Sequence, residues 1–439
     1  MTTKASMDKV STISKQGLSI DNQKLASVLG FEYVDGELQI EGASLTNIAT
    51  SFGTPAYVYS KQAIQKAYRA YTEGFSGVPH RICYAVKANA NLAVLKILAD
   101  MGAGFDIVSQ GELRRVLQVT DASRVVYSGV GKTADDIKVA LLAGIDCFNV
   151  EALSELALID KIAGQLGVQA RISLRINPDV DAKTHPYIST GLQDNKFGID
   201  HKQALTAYDC ANSLKNLQIV GMDCHIGSQL LAVAPFVDAL ERLVEFITAL
   251  KVKGIVLQHL DLGGGLGVRY IDENPVSVHD YAKALMPRLQ KLGLTLYLEP
   301  GRNLVANAGV LLTTVDVLKP TTNKNFAVVD ASMAELLRPA LYQAVMAIIP
   351  CQLTSKEAAQ TWQVVGAVCE SADFLGNDRV LALAVGDVLA ITGAGAYGFV
   401  MASNYNSRPR PAEVLIDDGT PRLIRRRESW QDLWRLETP

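Results

Sequence analysis

The chain is arranged around one stretch, Tyr84-Ala85-Val86-Lys87-Ala88-Asn89, which predicts a buried strand that ends on a lysine. The strand spans 81–86, and a helix-like segment follows at 91–98. In a barrel of alternating strands and helices, such a lysine lies at the rim where active sites are built. Desolvation there would lower the pKa of the amine and make it nucleophilic, as a Schiff-base lysine requires. This stretch alone also allows an ordinary strand-end lysine that faces water.

Length and composition define the broad class of protein. The chain has 439 residues, which predicts one large and one smaller domain. A hydrophobic fraction of 49% and a charged fraction of 20% are typical of a globular, core-forming protein. The formal net charge of −3 gives no electrostatic reason to expect nucleic acid or an anionic membrane as a partner.

The first residues and the cysteines indicate the cellular compartment. Residues 1–16 are polar and lack the apolar segment of a secretory signal, and no run is long and apolar enough to span a bilayer. The six cysteines are scattered and form no CxxC pair, which fits reduced thiols better than a disulfide framework or a zinc site. We therefore expect a cytoplasmic protein without a metal site.

Strand-like and helix-like segments alternate through the first two thirds of the chain. Their length and rhythm predict a (β/α)8 barrel, of the kind found in triosephosphate isomerase. A doubly wound open sheet is the alternative, but no GxGxxG motif follows the first strand. The eight predicted barrel strands are 81–86, 105–109, 124–128, 145–150, 170–176, 219–225, 257–262 and 294–298.

The remaining sequence predicts a second, β-rich domain. After Gly301, strand-like segments follow one another without long helices between them. Asp35-Gly36 predicts a hairpin turn within 31–40, and because this hairpin has no place in the barrel we expect it to join the late sheet. The predicted parts are a flexible lead-in (1–20), the barrel (56–305), the β domain (21–55 plus 306–425) and a C-terminal tail (426–439).

Residues that could take part in catalysis or ligand binding lie on the predicted strands or directly after them. They are Lys87 on the first, Asp106 on the second, His225 to Ser228 on the sixth, Gly263 to Gly267 on the seventh and Glu299 to Arg302 on the eighth. Taken singly, the glycines could form a turn, the histidine could be a core residue and the glutamate could belong to an ordinary ion pair. Their convergence at the carboxyl ends of the strands, where barrel enzymes assemble their sites, favours a functional site.

This combination of residues suits pyridoxal phosphate. Backbone N–H groups of the glycine run, with Ser228 and Arg302, would form a phosphate cradle. Lys87 would hold the cofactor, and Glu299 would pair with the pyridinium nitrogen and preserve its capacity to accept electrons. His225 is the candidate to stack on the ring.

An ordered set of motifs between residues 28 and 420 resembles the alanine-racemase-fold (fold type III) pyridoxal-phosphate decarboxylases, and among them the diaminopimelate decarboxylase family. The most specific motifs are 84–89, 185–191 with 196–198, 225–229, 299–302, 337–342, 369–373 and 395–398. The resemblance implies decarboxylation of meso-diaminopimelate to L-lysine and carbon dioxide, the last step of lysine biosynthesis. It also implies an obligate homodimer in which Cys369 and Glu370 reach the partner subunit's site.

The resemblance assigns a role to individual residues. It implies that Lys87 carries the cofactor, Asp106 lies near its reactive end, His225 stacks on the ring and Glu299 faces the ring nitrogen. It implies that Cys369 donates the proton after carbon dioxide leaves. The phosphate-binding set is Ser228, Gly264, Gly265, Gly301 and Arg302, and the substrate-binding set is Arg302, Arg338, Tyr342, Glu370 and Tyr397, of which Tyr397 also touches the cofactor.

Charge complementarity agrees with this assignment. The distal end of diaminopimelate offers a carboxylate, which suits Arg338, and an ammonium, which suits Glu370. A decarboxylase of ornithine or arginine has no distal carboxylate to bind, so it would not need Arg338. A decarboxylase of carboxynorspermidine, a racemase and a non-catalytic homologue are further alternatives, although the last would be expected to lose Lys87 or Cys369.

Overall fold

The computed structural model describes residues 21–180, 196–353 and 357–438. The predicted lead-in (1–20) and the motif at 185–191 lie outside these described residues. Contacts divide the chain into two compact units. One holds the described residues of 21–59, 310–394 and 401–438, and the other those of 60–309 and 395–400. That each unit folds as a domain of its own stays a prediction.

The N-terminal segment forms a small sheet and the first strand of a larger one. Its elements are α1 (Asn22–Leu29), β1 (Glu32–Val34), β2 (Glu37–Ile40), β3 (Ala43–Ser44), α2 (Leu45–Phe52) and β4 (Ala56–Ser60). Asp35 and Gly36 have φ angles of 50° and 83°, as a tight hairpin turn requires. Strands β1 to β3 form a sheet of their own, and an antiparallel bridge between Glu37 and Gln352 links the hairpin to the late strands. The hairpin therefore belongs to the same unit as the late sheet without extending that sheet. Leu38 still donates a backbone hydrogen bond to Cys351 O at 2.8 Å, within the same unit.

The second unit is a closed parallel barrel, and the predicted (β/α)8 fold is confirmed. Strands β5, β6, β7, β8, β9, β11, β12 and β13 pair in that order, and β13 pairs back to β5, while β10 extends β9. The bounds are α3 (Lys61–Gly74), β5 (His80–Ala85), α4 (Leu92–Asp100), β6 (Gly104–Ile107), α5 (Gln110–Val116), β7 (Val125–Tyr127), α6 (Ala134–Ala143), β8 (Cys147–Val150), α7 (Leu153–Leu166), β9 (Ala170–Asn177), β10 (Ile199–Asp200), α8 (Ala204–Ser213), β11 (Leu217–Asp223), α9 (Ala234–Val252), β12 (His259–Asp261), α10 (Val278–Leu292), β13 (Thr295–Leu298) and α11 (Arg302–Val305).

Side-chain caps define where several barrel helices begin. Ser60 Oγ accepts from Ala63 N at 2.9 Å at the start of α3, and Thr133 forms a capping box with Asp136 at the start of α6. Inside the barrel, buried apolar side chains from several strands meet in one cluster: Cys83, Val126, Cys147, Val220 and Tyr297. The interior is therefore packed, and the chemistry is left to the rims.

The first unit is built on a mixed sheet, with the order β18-β17-β15-β14-β4-β20-β21, and β19 pairs with β14 and β16. Its later elements are β14 (Gly309–Pro320), β15 (Asn325–Val329), α12 (Arg338–Tyr342), β16 (Ile348–Pro350), β17 (Gln360–Val365), β18 (Phe374–Leu381), β19 (Val388–Thr392), β20 (Ala412–Asp417), β21 (Thr420–Arg425) and α13 (Trp430–Trp434). Because β4 lies between β14 and β20, the strand at 56–60 belongs to this sheet and not to the barrel range predicted for it. In the part of the chain that the structure describes, no helix combines the length and apolar character needed to cross a membrane.

Candidate active site

Lys87 lies in the short helical turn (Val86–Ala88) that follows β5, at the carboxyl end of the barrel. Its Nζ donates to Asp106 Oδ2 on β6 at 3.2 Å. The Asp106 side chain is fully buried, whereas 40% of the Lys87 side chain is exposed. The amine is therefore held by a buried carboxylate on one side and is open to a ligand on the other.

The charge state of Lys87 differs from the expectation drawn from the sequence. Burial by itself opposes the charged amine, which is the effect that the sequence predicts. The Asp106 carboxylate, together with Tyr397 and Glu299, outweighs burial, and the pKa of Lys87 is raised rather than lowered. The side chain of Lys87 is thus protonated at neutral pH, and its amine must lose a proton before it can act as a nucleophile.

The stretch around Lys87 also fixes a segment from far along the chain. The Tyr84 hydroxyl donates to Asn89 O at 3.0 Å, and Asn89 Nδ2 donates to Gly395 O at 3.1 Å. Tyr397 N donates to Ala88 O at 2.8 Å. The short segment 395–400 is thereby held against the turn that carries the lysine, which brings Tyr397 into the barrel unit.

Arg302 lies at the N-terminus of α11 and joins two elements at the barrel rim. Its Nε and Nη2 donate to Ser228 Oγ at 3.3 and 3.1 Å, and its Nη1 donates to the Tyr270 hydroxyl at 2.6 Å. The Tyr397 ring lies 4.8 Å from the guanidinium carbon, so the cation also has an aromatic partner. Tyr270 was not predicted from the sequence, because no motif connects a tyrosine in the loop after β12 with this arginine.

The glycines of the rim are required by close backbone approach. A Cβ on Gly264 would lie 2.2 Å from Glu299 O, and one on Gly265, whose φ is +112°, would lie 2.4 Å from Gly227 O. A Cβ on Gly301 would lie 3.1 Å from those of Ala85 and Ala88. A flexible turn does not explain contacts this close, since any side chain here would push the strand ends apart.

His225 is held in one tautomer. Its Nδ1 accepts a hydrogen bond from Gly264 N at 3.1 Å, so the N–H of Gly264, which the sequence assigned to the phosphate, also positions this ring. Burial lowers the pKa of His225, and the positive charges of Arg175 and Lys87 lower it further. The imidazole is therefore neutral and carries its proton on Nε2.

Glu299, directly after β13, is enclosed by polar groups from neighbouring strands. Asn149 Nδ2 donates to Glu299 Oε1 at 3.1 Å, and Ser128 Oγ lies 3.5 Å from the same oxygen. Asn149 Nδ2 also donates to Ser128 Oγ at 3.1 Å. Neither residue was predicted from the sequence, although both stand at or just after the carboxyl ends of strands β7 and β8, as the predicted site residues do.

Two further buried carboxylates face Glu299. Asp223, Asp261 and Glu299 each place a carboxylate oxygen within 4.8 Å of the others. Burial, reinforced by repulsion from Asp106, Asp261 and Asp223, raises the pKa of Glu299 well above its usual range, and burial with repulsion from Asp261 raises that of Asp223. Three carboxylates so close cannot all be ionised, so the cluster holds protons at neutral pH. Asp261 comes two residues before the glycine run, a position that could have been found from the sequence.

The remaining predicted residues lie in the other unit. Arg338 begins α12 and is only 6% exposed, so it is not a residue of a solvated turn. Tyr342 ends the same helix. Cys369 and Glu370 are exposed, and Cys369 N donates to Asn406 Oδ1 at 2.8 Å. The predicted cofactor residues thus lie in the barrel unit together with Arg302 and Tyr397, which were also predicted to bind substrate, whereas the other predicted substrate residues and Cys369 lie in the β unit.

Comparison with known proteins identifies the class and then the family. The family model for the pyridoxal binding domain of pyridoxal-dependent decarboxylases matches residues 61–306. Diaminopimelate decarboxylase of Pseudomonas aeruginosa is 56% identical, covering 93% of this chain and 98% of the relative, and that of Vibrio cholerae is 56% identical over 92% and 97%. The chain belongs to the diaminopimelate decarboxylase family.

Solved structures agree with this placement. Diaminopimelate decarboxylase of Helicobacter pylori complexed with L-lysine superposes with a TM-score of 0.86 at 45% identity, covering 89% of this chain and 98% of that one. The enzyme of M. jannaschii in co-complex with L-lysine superposes with a TM-score of 0.89 at 40% identity, covering 93% and 98%. The chain is therefore a pyridoxal-phosphate-dependent decarboxylase.

The residues at the barrel rim fit pyridoxal phosphate. In the described part of the chain, Asp106 Oδ1 and Asp261 Oδ2 are buried without a hydrogen-bond partner, as expected where a ligand completes the site. A cationic ring nitrogen would offset the excess of carboxylates around Glu299. The Ser228–Arg302 pair and the side-chain-free backbone at Gly265 offer donors suited to a phosphate.

Proposed function

We propose that this chain removes one carboxyl group from meso-diaminopimelate and releases L-lysine and carbon dioxide, with pyridoxal phosphate as cofactor. The observation that carries the proposal is the arrangement at the barrel rim. There, the Lys87–Asp106 pair, Glu299 and the Ser228–Arg302 pair occupy one unit. The names of the relatives supply the substrate.

The barrel residues would bind and polarise the cofactor. When bound, pyridoxal phosphate supplies a cationic ring that accepts the electron pair left by the departing carboxyl group. Lys87 would hold the cofactor through its amine, and Asp106 would take up the positive charge next to that amine. The neutral His225 would pack on the ring face, and Glu299 would keep a proton at the ring nitrogen. Ser228 and Arg302, with the backbone at Gly265 and Gly301, would bind the phosphate.

The residues of the β unit would choose the substrate and return the proton. Arg338 would bind the distal carboxylate in a two-pronged contact, with Tyr342 as a hydroxyl donor, and Glu370 would pair with the distal ammonium. After carbon dioxide leaves, the Cys369 thiol would donate its proton to the carbon that lost the carboxyl group. Tyr397, which lies on the barrel side, would touch both cofactor and substrate.

The decisive experiment compares substrates. Cofactor-loaded protein is incubated separately with meso-diaminopimelate, ornithine and arginine, and carbon dioxide release is measured. We expect release from diaminopimelate only, because Arg338 has no partner on the other two substrates. Equal or faster release from ornithine or arginine would show that the substrate assignment is wrong, and an Arg338→Ala variant with an unchanged KM for diaminopimelate would contradict the role of Arg338.

We also propose that two copies of the chain share their active sites, in the cytoplasm. Cys369 and Glu370 are exposed on the single chain, as residues that serve a partner's site would be. All six cysteines are free thiols, which fits a reducing compartment. Mixing inactive Lys87→Ala and Cys369→Ala chains after subunit exchange should restore about a quarter of wild-type activity, because hybrid dimers carry one intact site. Light scattering that shows a monomer, or a mixture that stays inactive although hybrids form, would contradict shared sites.

A further inference from the structure

Two neighbours act on the Glu299 carboxyl group in opposite senses. Asn149 Nδ2 donates a hydrogen bond to Glu299 Oε1 at 3.1 Å. Asp261 brings a carboxylate oxygen within 4.8 Å of the Glu299 carboxylate. The first contact favours an ionised Glu299 and the second disfavours it.

The contact from Asn149 is a fixed one. Asn149 is completely buried, and its Nδ2 is shared between Glu299 Oε1 and Ser128 Oγ. Ser128 Oγ also lies within 3.5 Å of Glu299 Oε1. An amide and a hydroxyl on the same oxygen orient the carboxyl group and reduce its affinity for a proton, because both donate more strongly to a charged acceptor.

The contact from Asp261 is equally fixed. Asp261 is completely buried, and its Oδ1 accepts from Gly263 N at 2.8 Å. Its Oδ2 has no hydrogen-bond partner among the residues that the structure describes. A buried carboxylate held at this position repels negative charge on Glu299, so it increases the affinity of that carboxyl group for a proton.

We propose that Asn149 and Asp261 are opposing positioning residues, which together set how tightly the Glu299 site holds the proton that it shares with the cofactor's ring nitrogen. The inference rests on the proposed role of Glu299. The other charged groups that act on this carboxyl group are Lys87, Asp106, Asp223 and Arg175, and Arg175 Nε also lies 3.9 Å from Asp223 Oδ2. Removal of Asp261 and removal of Asn149 should change the proton affinity of Glu299 in opposite directions.

The experiment follows the proton directly. Cofactor labelled at its ring nitrogen is bound to the full-length protein, and the nitrogen NMR chemical shift is recorded against pH. We expect Asp261→Asn to lower the pH midpoint of the titration by about one unit or more, because a nearby negative charge is removed. We expect Asn149→Ala to raise it by about one unit, because a donor to the charged form is removed.

Further variants separate the possible outcomes. Ser128→Ala should raise the midpoint less than Asn149→Ala does, and it carries that arm of the test if the larger change prevents folding. Glu241→Gln removes an exposed carboxylate that pairs with Arg288 away from the site, and it should leave the midpoint unchanged. Glu299→Gln should abolish the titration. If it titrates like the wild type, the proposed role of Glu299 is wrong. If it abolishes the titration while Asp261→Asn and the donor variants shift in the same direction or not at all, the inference is overturned.

Discussion

The two ends of the barrel both bury polar groups, but they pair them differently. At the amino end, one carboxylate organises the cluster. Asp146 accepts from Arg81 Nη1 at 2.7 Å, from Arg171 Nη2 at 3.3 Å and from the Tyr297 hydroxyl at 2.8 Å. His259 stacks on the Tyr297 ring at 4.2 Å, and its buried Nε2 has no hydrogen-bond partner among the described residues.

At the carboxyl end, carboxylates outnumber the cations that face them. One oxygen each of Asp106, Asp223 and Asp261 is buried without a hydrogen-bond partner among the described residues, as is Asn149 Oδ1. Buried acceptors of this kind cost stability unless something completes them.

The difference separates stability from function within a single barrel. Pairing at the amino end satisfies its charges inside the chain, so that end is complete without a ligand. Excess negative charge at the carboxyl end is tolerable if a ligand with a cationic ring nitrogen is to bind there. Substitutions at the carboxyl end should therefore reduce activity, whereas substitutions at the amino end should reduce stability.

The largest effect is expected at the carboxyl end. Lys87→Ala removes the amine that would hold the cofactor, so decarboxylation should fall roughly a thousandfold or more while the chain still folds. Borohydride reduction followed by mass spectrometry should attach cofactor to wild-type Lys87 and to no residue of the variant. If the Lys87→Ala variant kept its activity and the cofactor were attached to another residue, the functional role assigned to the carboxyl end through Lys87 would be wrong.

A smaller effect, on stability, is expected at the amino end. Asp146→Ala leaves Arg81 and Arg171 without their carboxylate, and the free energy of unfolding should fall by about 3 kcal/mol, discounted for the partial exposure of both arginines. Denaturant unfolding measures the loss, and kcat per folded molecule should stay at the wild-type value. A fall in kcat without a fall in stability would show that the two ends are not functionally separate.

The last effect appears only in acid, so near neutral pH it is the smallest of the three. Burial lowers the pKa of His259 to about 4, a shift that Asp146 opposes and that Arg171 and Arg81 reinforce. In the unfolded chain the His259 ring binds a proton below about pH 6.5, whereas in the folded chain it does so only below about pH 4. Stability is therefore lost as the pH falls from about 6.5 to about 4, by about 3 kcal/mol in total. His259→Gln should lack that part of the pH dependence in unfolding experiments. Parallel pH profiles for wild type and variant would contradict a neutral, buried His259.

The sequence predicts the barrel and most of its rim. Alternating strands and helices define the fold, and the side chains at strand ends, such as Lys87, Asp106 and Glu299, must converge once the barrel closes. The direction of the Lys87 pKa shift was predicted wrongly, because the sequence indicates a lowered pKa and the structure raises it. The apolar strand before Lys87 indicates burial, which would lower the pKa of the amine. The Asp106 carboxylate, which raises that pKa, lies on the next strand and is not part of the local pattern.

What the sequence does not predict depends on distant partners. Strand β4 has the local pattern of any buried strand, and only its pairing with β14 and β20 places it outside the barrel. Asn149 and Ser128 belong to residue types with many ordinary uses, so their contact with Glu299 becomes visible only in three dimensions. Tyr270 depends on the course of a loop, which periodicity does not describe.

The order of the chain has a consequence for its synthesis. Residues 60–309, which supply the barrel strands, leave the ribosome well before residues 395–400, although both belong to one unit. A nascent chain can therefore complete its barrel while it still lacks Tyr397, the residue that lies against Arg302. The contact between Tyr397 and Arg302 would then form only when translation is nearly finished, and truncated products would lack it.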